Sequence, residues 1–464
     1  MTEKIIHTEI EKLNKLYKSK KISPYEVFQI FSKRINKHNK VLNAFIDIYE
    51  DENNKFSKGL ENLDHSDFNI LTGITVGLKD LIDLKNKYTT AGSKILKNNL
   101  ANTNSKITQD FINQKSIILG KTNLVEFAFG TLGINTSTNT CRNPWDIKRV
   151  PGGSSSGSAV AVSAGLTTFA IGTDTGGSVR MPASLCGITG FKPTYGVVSR
   201  RGVLDLSWSM DHVGPMARSA KDCLDIMSVI SGYDPKDKYS ISLGNEKFYI
   251  DESFDRKKIK IGLPKNYFFD DIDEEIKSSV LNAVKKLSNL GYQVEEIDLP
   301  FIEEGRSLNI GVLLPEALTI HKDYLKQYSK YSPTVINRLL GGMGITSEEY
   351  LSASKNMSEF NFNMTKKMKD FDAIISPTVP VITPLISESL SPNTNESNSM
   401  GRFTGVFNLT GQPSISVPSG FTNKNMPIGM MLSGKILDDN KLLNIAIDWQ
   451  NHTDFHKRSP DDFN

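Results

Sequence analysis

Apolar residues recur at helical spacing from the start of the chain: Ile6, Ile10, Leu13 and Tyr17 share one face. Ser23-Pro24-Tyr25-Glu26 then supplies a capping box with Pro at the first helical position, ahead of Val27, Phe31 and Ile35, and predicts a second helix. From about Leu71 the texture changes to short apolar runs between Gly-rich turns, which predict strands over 74–78, 116–119 and 168–173. The small-residue run 158–166 predicts a helix able to pack tightly on a sheet. Further strands are predicted over 259–263 and 373–376, with a helix over about 273–290 between them. Residues 324–369 read as largely helical, a lid or wall. The Ser-, Asn- and Pro-rich stretch 387–399 reads as a surface loop. Alternating strands and helices predict an α/β sheet covered on both faces, with no internal repeat and no linker that divides it.

Composition narrows the partners rather than the fold. The 464 residues carry 55 basic and 52 acidic side chains, a net charge of +3. So small an excess provides no field for direct binding of nucleic acid or an anionic membrane. Cys141, Cys186 and Cys223 are an odd number without a CxxC pair, which argues against a disulfide framework or a structural zinc. The first 17 residues interleave Lys and Glu with Ile and lack an apolar signal core, and no apolar run approaches a membrane span. A cytoplasmic location is the default expectation.

Two patterns imitate known sites. Gly120-Lys121-Thr122 resembles the end of a P-loop, but Lys115 stands where the first hinge Gly belongs. Gly153-Ser154-Ser155-Ser156-Gly157 matches GxSxG with Ser155 at its centre. That reading needs a downstream His base, and His321, His452 and His456 offer no telling context. Metal chemistry has no HExxH, and the seven histidines are scattered singly.

Two Gly/Ser clusters carry more. One runs over 150–159, Val-Pro-Gly-Gly-Ser-Ser-Ser-Gly-Ser-Ala; the other, over 172–180, is Gly-Thr-Asp-Thr-Gly-Gly-Ser-Val-Arg. Most such stretches are flexible loops, but these are wedged between apolar segments. In the second, a strand is expected to end at Asp174, a Gly-Gly turn to follow, and Ser178 to open a helix. The N–H groups of Thr175, Gly176, Gly177 and Ser178 would then converge, as an oxyanion requires. Asp174 and Arg180 bracket the turn, and a salt bridge between them is the simple structural role. A serine nucleophile needs a base. Lys79, closing the apolar run Gly73-Ile74-Thr75-Val76-Gly77-Leu78, could serve if burial kept it neutral. A snorkelling strand-end lysine is the bland reading.

Taken together, the three segments resemble the amidase-signature family, whose pattern joins a Lys-Asp after a G(I/V) strand to GGSSxGSA and GTDxGGSxR. The likeness extends to Asn123-Leu124-Val125-Glu126-Phe127-Ala128, Asn143-Pro144-Trp145-Asp146, 190–196, 209–216, 412–418 and Pro427-Ile428-Gly429. It is dense over about 70–225, sparse over 240–370 and clear again beyond 370. The resemblance implies a large mixed sheet sandwiched by helices, in one unit over 1–464. Within it lie N-terminal helices to 65, a signature core over 66–240, and a C-terminal part over 241–464 that completes the sheet and bears a helical lid near 300–370. It implies Lys79 as base, Ser154 in a cis peptide as proton relay, Ser178 as nucleophile with an acyl-enzyme, and no metal or organic cofactor. Ser155 is a supporting residue. Ser156 departs from the usual Gly, which is tolerable if its backbone is not left-handed.

Two functions fit. The first is a freestanding amidase acting on a small-molecule amide, with a homodimer left open. The alternative is the A subunit of a tRNA-dependent amidotransferase, which releases ammonia from glutamine for partner subunits. Such subunits usually carry a YDGxRYG-like stretch, and the comparable region here, Leu308-Asn309-Ile310-Gly311-Val312-Leu313-Leu314-Pro315-Glu316-Ala317, lacks it. That favours the freestanding amidase. An inactive binding module is disfavoured because Lys79, Ser154 and Ser178 are all present. Met343, Phe360, Phe362 and Met364 are expected in core or lid packing rather than in an acyl pocket.

Overall fold

A computed structural model describes residues 5–244, 247–390 and 399–463. Its centre is one mixed sheet built from β1 (Phe45–Ile48), β2 (Thr75–Lys79), β3 (Ile117–Thr122), β4 (Phe169–Asp174), β5 (Thr189–Lys192), β6 (His212–Ala217), β7 (Lys260–Pro264), β8 (Gln293–Ile297), β9 (Ala373–Pro377), β10 (Ser414–Phe421) and β11 (Pro427–Gly434). The 11 strands run in the order β1-β3-β2-β4-β6-β5-β10-β11-β9-β7-β8. β2 is parallel to both β3 and β4, and β7 to β8 and β9; the remaining pairs are antiparallel. Every residue of β2, β3, β4, β9 and β11 is buried. Burial on both faces is what a sheet covered by helices on each side requires, so the expected α/β sandwich is observed.

Local chemistry explains the helices that matter here. Helix Pro24–Leu42 starts at a closed capping box: the Glu26 N–H donates to Ser23 Oγ (3.1 Å) and the Ser23 N–H to Glu26 Oε2 (2.8 Å). The small-residue helix begins two residues earlier than expected, at Ser156, and ends at Ser163. A Cβ on its Gly157 would sit 2.3 Å from the Ala44 carbonyl oxygen and 2.4 Å from the Asn123 nitrogen, so only glycine lets the helix lie against that backbone. Ser156 is helical and absent from the left-handed region, so its departure from the usual Gly leaves the loop intact.

Several expectations shift. The strand expected over 116–119 continues through Gly120-Lys121-Thr122, because both β1 and β2 pair with that stretch. β1, β5, β6, β8, β10 and β11 were not expected from periodicity. β10 and β11 are buried on nearly every residue, so they lack alternation, and β10 carries Pro418 and Gly420 within it. The lid region divides into a 3-10 turn, Tyr324–Lys330, and helices Pro333–Met343 and Ser347–Met368. Phe360 and Met364 are in the core, whereas Met343 and Phe362 are 60% and 68% exposed and pack in neither core nor lid. Ser347–Met368 turns only part of its circumference inward, which apolar identity alone does not reveal. Of the expected 387–399 loop, Ile386–Ser389 is a short helix and 391–398 lie outside the described residues.

Candidate active site

β2 and β4 are adjacent and parallel, so their C-terminal ends, Lys79 and Asp174, arrive at the same edge of the sheet. The loop before helix Ser156–Ser163 crosses that edge. Lys79 is fully buried. Its Nζ lies 2.8 Å from Ser154 Oγ, 2.9 Å from Ser155 Oγ and 2.7 Å from Thr173 Oγ1. Burial lowers its pKa to about 7, against the pull of the Asp174 and Asp211 carboxylates, which raise it. The peptide bond from Gly153 to Ser154 is cis.

The three hydroxyls around Lys79 are not equivalent. Ser155 Oγ donates to the Thr173 carbonyl (3.1 Å) and accepts from the Thr173 N–H (3.2 Å). Its proton is committed, so it can only accept from Lys79. A neutral amine has two N–H bonds and one lone pair. Giving the N–H bonds to Ser155 and Thr173 leaves the lone pair for the Ser154 proton. Ser155 is thereby a buried support rather than the centre of a nucleophile elbow. Lys121, the P-loop mimic, is also buried and donates to the Ile82 carbonyl, Thr89 Oγ1 and Asp80 Oδ1.

Ser178 reaches this group from the β4 turn. Its carbonyl accepts from the Ser155 N–H (3.2 Å). Its Oγ has no protein hydrogen-bond partner among the described residues, so the Ser154–Ser178 link is not closed by a hydrogen bond here. Asp174 and Arg180, both fully buried, form a bidentate pair: Nη2 to Oδ1 at 2.8 Å and Nε to Oδ2 at 3.0 Å. Burial would push the Asp174 carboxyl up. Arg180, Lys192 and Asn408 outweigh that and hold it well below the usual carboxylate range.

The same carboxylate corrects one expected role. Gly177 N–H donates to Asp174 Oδ1 at 2.8 Å, so it is not free to receive an oxyanion. The N–H groups of Thr175, Gly176 and Ser178 have no acceptor among the described residues. A Cβ built on Gly176 would meet nothing within 4 Å, so the turn borders open space there.

Other contributors escaped the sequence reading. Asn408 donates to the Asp174 carbonyl (2.9 Å) and Oδ1 (2.8 Å) and accepts from Arg180 Nη2 (2.7 Å). Thr404 Oγ1 donates to the Gly176 carbonyl (2.6 Å), and Thr175 Oγ1 donates to Asp211 Oδ1 (2.6 Å). Asp211 is pushed up to about 6 by burial, against Arg200 and the Thr175 hydrogen bond. Asp211 falls in the stretch 209–216 already noted, the one signal that pointed near it. His321, considered as a distant base, is instead held at Nδ1 by the Tyr331 hydroxyl at 2.7 Å.

Beside the Ser154 loop lies a cavity of about 160 Å³ whose lining includes Val125, Thr131, Leu132, Val335 and Arg338. The Thr131 carbonyl accepts from the Gly153 N–H (2.7 Å), which ties this cavity to the loop. A larger one of about 670 Å³, against Ile5, Leu16, Arg218 and His456, contains none of the site residues. Among the described residues no three His, Cys, Asp or Glu side chains converge as a metal site would need, and no helix is long and apolar enough to cross a membrane.

Comparison with known proteins finds relatives over nearly the whole chain. The family model described as Amidase matches residues 26–443. The A subunit of glutamyl-tRNA(Gln) amidotransferase from Marinomonas sp. is 36% identical, with 99% of each chain aligned. The solved structure of the corresponding A subunit from Thermotoga maritima is 31% identical with a TM-score of 0.79, covering 96% of this chain and 93% of that one. A solved amidase is 27% identical with a TM-score of 0.85, covering 96% and 99%.

Proposed function

The chain belongs to the amidase family, and from that premise we propose that it hydrolyses a carboxamide C–N bond with Ser178 as nucleophile, Ser154 as proton relay and Lys79 as base. The observation that carries this is the buried Lys79 amine, its pKa lowered to about 7, held 2.8 Å from Ser154 Oγ. Ser178 Oγ attacks the amide carbonyl while its proton passes through Ser154 to the Lys79 lone pair. The carbonyl oxygen becomes an oxyanion facing the N–H groups of Thr175, Gly176 and Ser178. Lys79 returns the proton through Ser154 to the leaving nitrogen, the C–N bond breaks, and an ester to Ser178 remains. Water then attacks that ester, giving its proton to Lys79 by the same route and regenerating the Ser178 hydroxyl.

Two finer readings differ in where the nitrogen goes. The relatives favour an amidotransferase component that liberates ammonia for a partner, since 36% identity extends over 99% of both chains. This reverses the order expected from the sequence. The freestanding amidase keeps two supports: the missing YDGxRYG-like stretch at 308–317, and a backbone nearer the solved amidase than the solved amidotransferase component, with TM-scores of 0.85 against 0.79.

The test is labelling of the purified chain by an alkyl fluorophosphonate, followed by ammonia release from glutamine and from simple aliphatic and aromatic amides. Labelling lost in Ser178→Ala is expected; labelling that survives it overturns the assignment. Turnover of simple amides by the chain alone supports the freestanding amidase. Activity that appears only when partner subunits are added supports the amidotransferase.

A further inference from the structure

The turn that presents the oxyanion donors is made of four peptide planes, and the structure restrains them unequally. In the plane joining Asp174 to Thr175, the Asp174 carbonyl accepts from Asn408 Nδ2 at 2.9 Å, which fixes the direction of the Thr175 N–H. In the plane joining Gly176 to Gly177, both ends are held: Thr404 donates to the Gly176 carbonyl at 2.6 Å and the Gly177 N–H donates to Asp174 at 2.8 Å. In the plane joining Gly177 to Ser178, the Gly177 carbonyl accepts from the Met181 N–H at 2.7 Å. The plane joining Thr175 to Gly176 has no such bond: among the described residues nothing donates to the Thr175 carbonyl, and the Gly176 N–H has no acceptor. Its nearest restraint is the Thr175 side chain, whose hydroxyl donates to Asp211 at 2.6 Å.

Asp211 is itself firmly placed. Its Oδ2 accepts from the Leu206 N–H (2.7 Å) and the Ser207 N–H (3.0 Å), and Arg200 Nη1 lies 3.8 Å away. The Ser207 hydroxyl continues the chain to Glu316 Oε2 at 2.5 Å, and Glu316 also accepts from Ser209 Oγ at 2.8 Å. Glu316 is buried in helix Glu304–Ile320 of the helical layer. A continuous run of hydrogen bonds therefore joins that helix to the one weakly held plane of the turn.

We propose that Asp211 is a positioning residue which, through the Thr175 hydroxyl, aims the Gly176 N–H at the developing oxyanion, with Glu316 anchoring Asp211 to the helical layer. This rests on the hydrolase reading above. It deepens that reading by separating Thr175 as a backbone donor from Thr175 as the side-chain handle on its neighbour. Ground-state binding makes little use of an oxyanion donor, so the effect falls on the bond-forming step.

The experiment uses the full chain and an alkyl fluorophosphonate, whose phosphoryl oxygen enters the same donors as Ser178 attacks. Thr175→Val removes the hydroxyl and keeps the shape. We expect the limiting labelling rate to fall about tenfold or more, less than the roughly hundredfold loss of a whole donor, with half-saturation unchanged within about twofold. Thr175→Ser should restore the rate. Combining Thr175→Val with Asp211→Ala should be no slower than the slower single variant, because both break one bond. If Thr175→Val does not unfold cooperatively, Thr175→Cys replaces it, its weaker thiol donor giving an intermediate loss. An unchanged rate in Thr175→Val or Thr175→Cys, a Ser variant that fails to recover, or additive losses in the double variant would each overturn the proposal. An unaltered chain that is not labelled, or labelling that survives Ser178→Ala, strikes the hydrolase reading itself and the brace with it.

Discussion

The acid limb of reactivity tests the Lys79 assignment most directly. Burial brings the amine from an ordinary value of 10.5 to about 7. Below that value Lys79 is an ammonium with no lone pair for the Ser154 proton, so reactivity falls as pH falls. A single group titrating there is about nine-tenths neutral at pH 8, about one-tenth at pH 6 and about one-hundredth at pH 5. Burying the amine also costs the fold on the order of 5 kcal/mol at pH 7 and below relative to the unfolded chain, as a lost proton near pH 7 and as a desolvated charge below it. That cost shrinks as pH rises toward 10.5, because the unfolded chain then gives up its proton as well. The assay is the second-order rate of Ser178 labelling by an alkyl fluorophosphonate, with circular dichroism confirming the fold at each pH. The midpoint is best read between about pH 6.5 and 9, where Asp211, pushed up to about 6, stays mostly ionised. A plateau above pH 8 and a unit slope below 7 are expected. A rate still climbing tenfold per pH unit through pH 9 would mean an undepressed lysine, and the reasoning from burial would fail.

Two structural predictions accompany it. Arg180→Met leaves the fully buried Asp174 carboxylate without its cation, and the loss of stability should be roughly 3–5 kcal/mol by urea unfolding; a change under about 1 kcal/mol would show the clamp to be dispensable. Gly177→Ala places a Cβ 2.1 Å from Thr404 Oγ1 at a backbone φ of +122°, so it should slow labelling and destabilise the chain by about 1 kcal/mol or more in thermal melts.

How much of this was legible depended on the distance over which each feature is built. The strands ending at Lys79 and Asp174 were marked by local apolar runs, and the capping box at Ser23 by four consecutive residues. The clamp was legible because Asp174 and Arg180 bracket their own turn. Thr173 was hidden because a threonine inside a strand reads as β-propensity, and its bond to Lys79 exists only once β2 and β4 lie side by side. Asn408 and Thr404 come from 234 and 228 residues away, and nothing in the sequence around them marks them as polar anchors. Gly177 was misread for the opposite reason. Its place in the glycine pair pointed to a free N–H, and only the folded turn shows the Asp174 carboxylate closing back on it. The exposure of Met343 and Phe362 likewise depends on which side of the helical layer meets the sheet.

The position of Asn408 has a consequence for how the protein comes into being. Ribosomes deliver Lys79, Ser154 and Ser178 well before Asn408, so Asp174 and Arg180 remain without their third partner until residue 408 has emerged. β10 and β11, which separate β5 from β9 in the middle of the sheet, are made later still. A nascent chain stalled short of that point carries Lys79, Ser154 and Ser178 but lacks the bonds from Thr404 and Asn408 that hold the turn beside them. The proposed reactivity is thus expected only once the stretch from Thr404 to β11 has emerged and folded onto the turn.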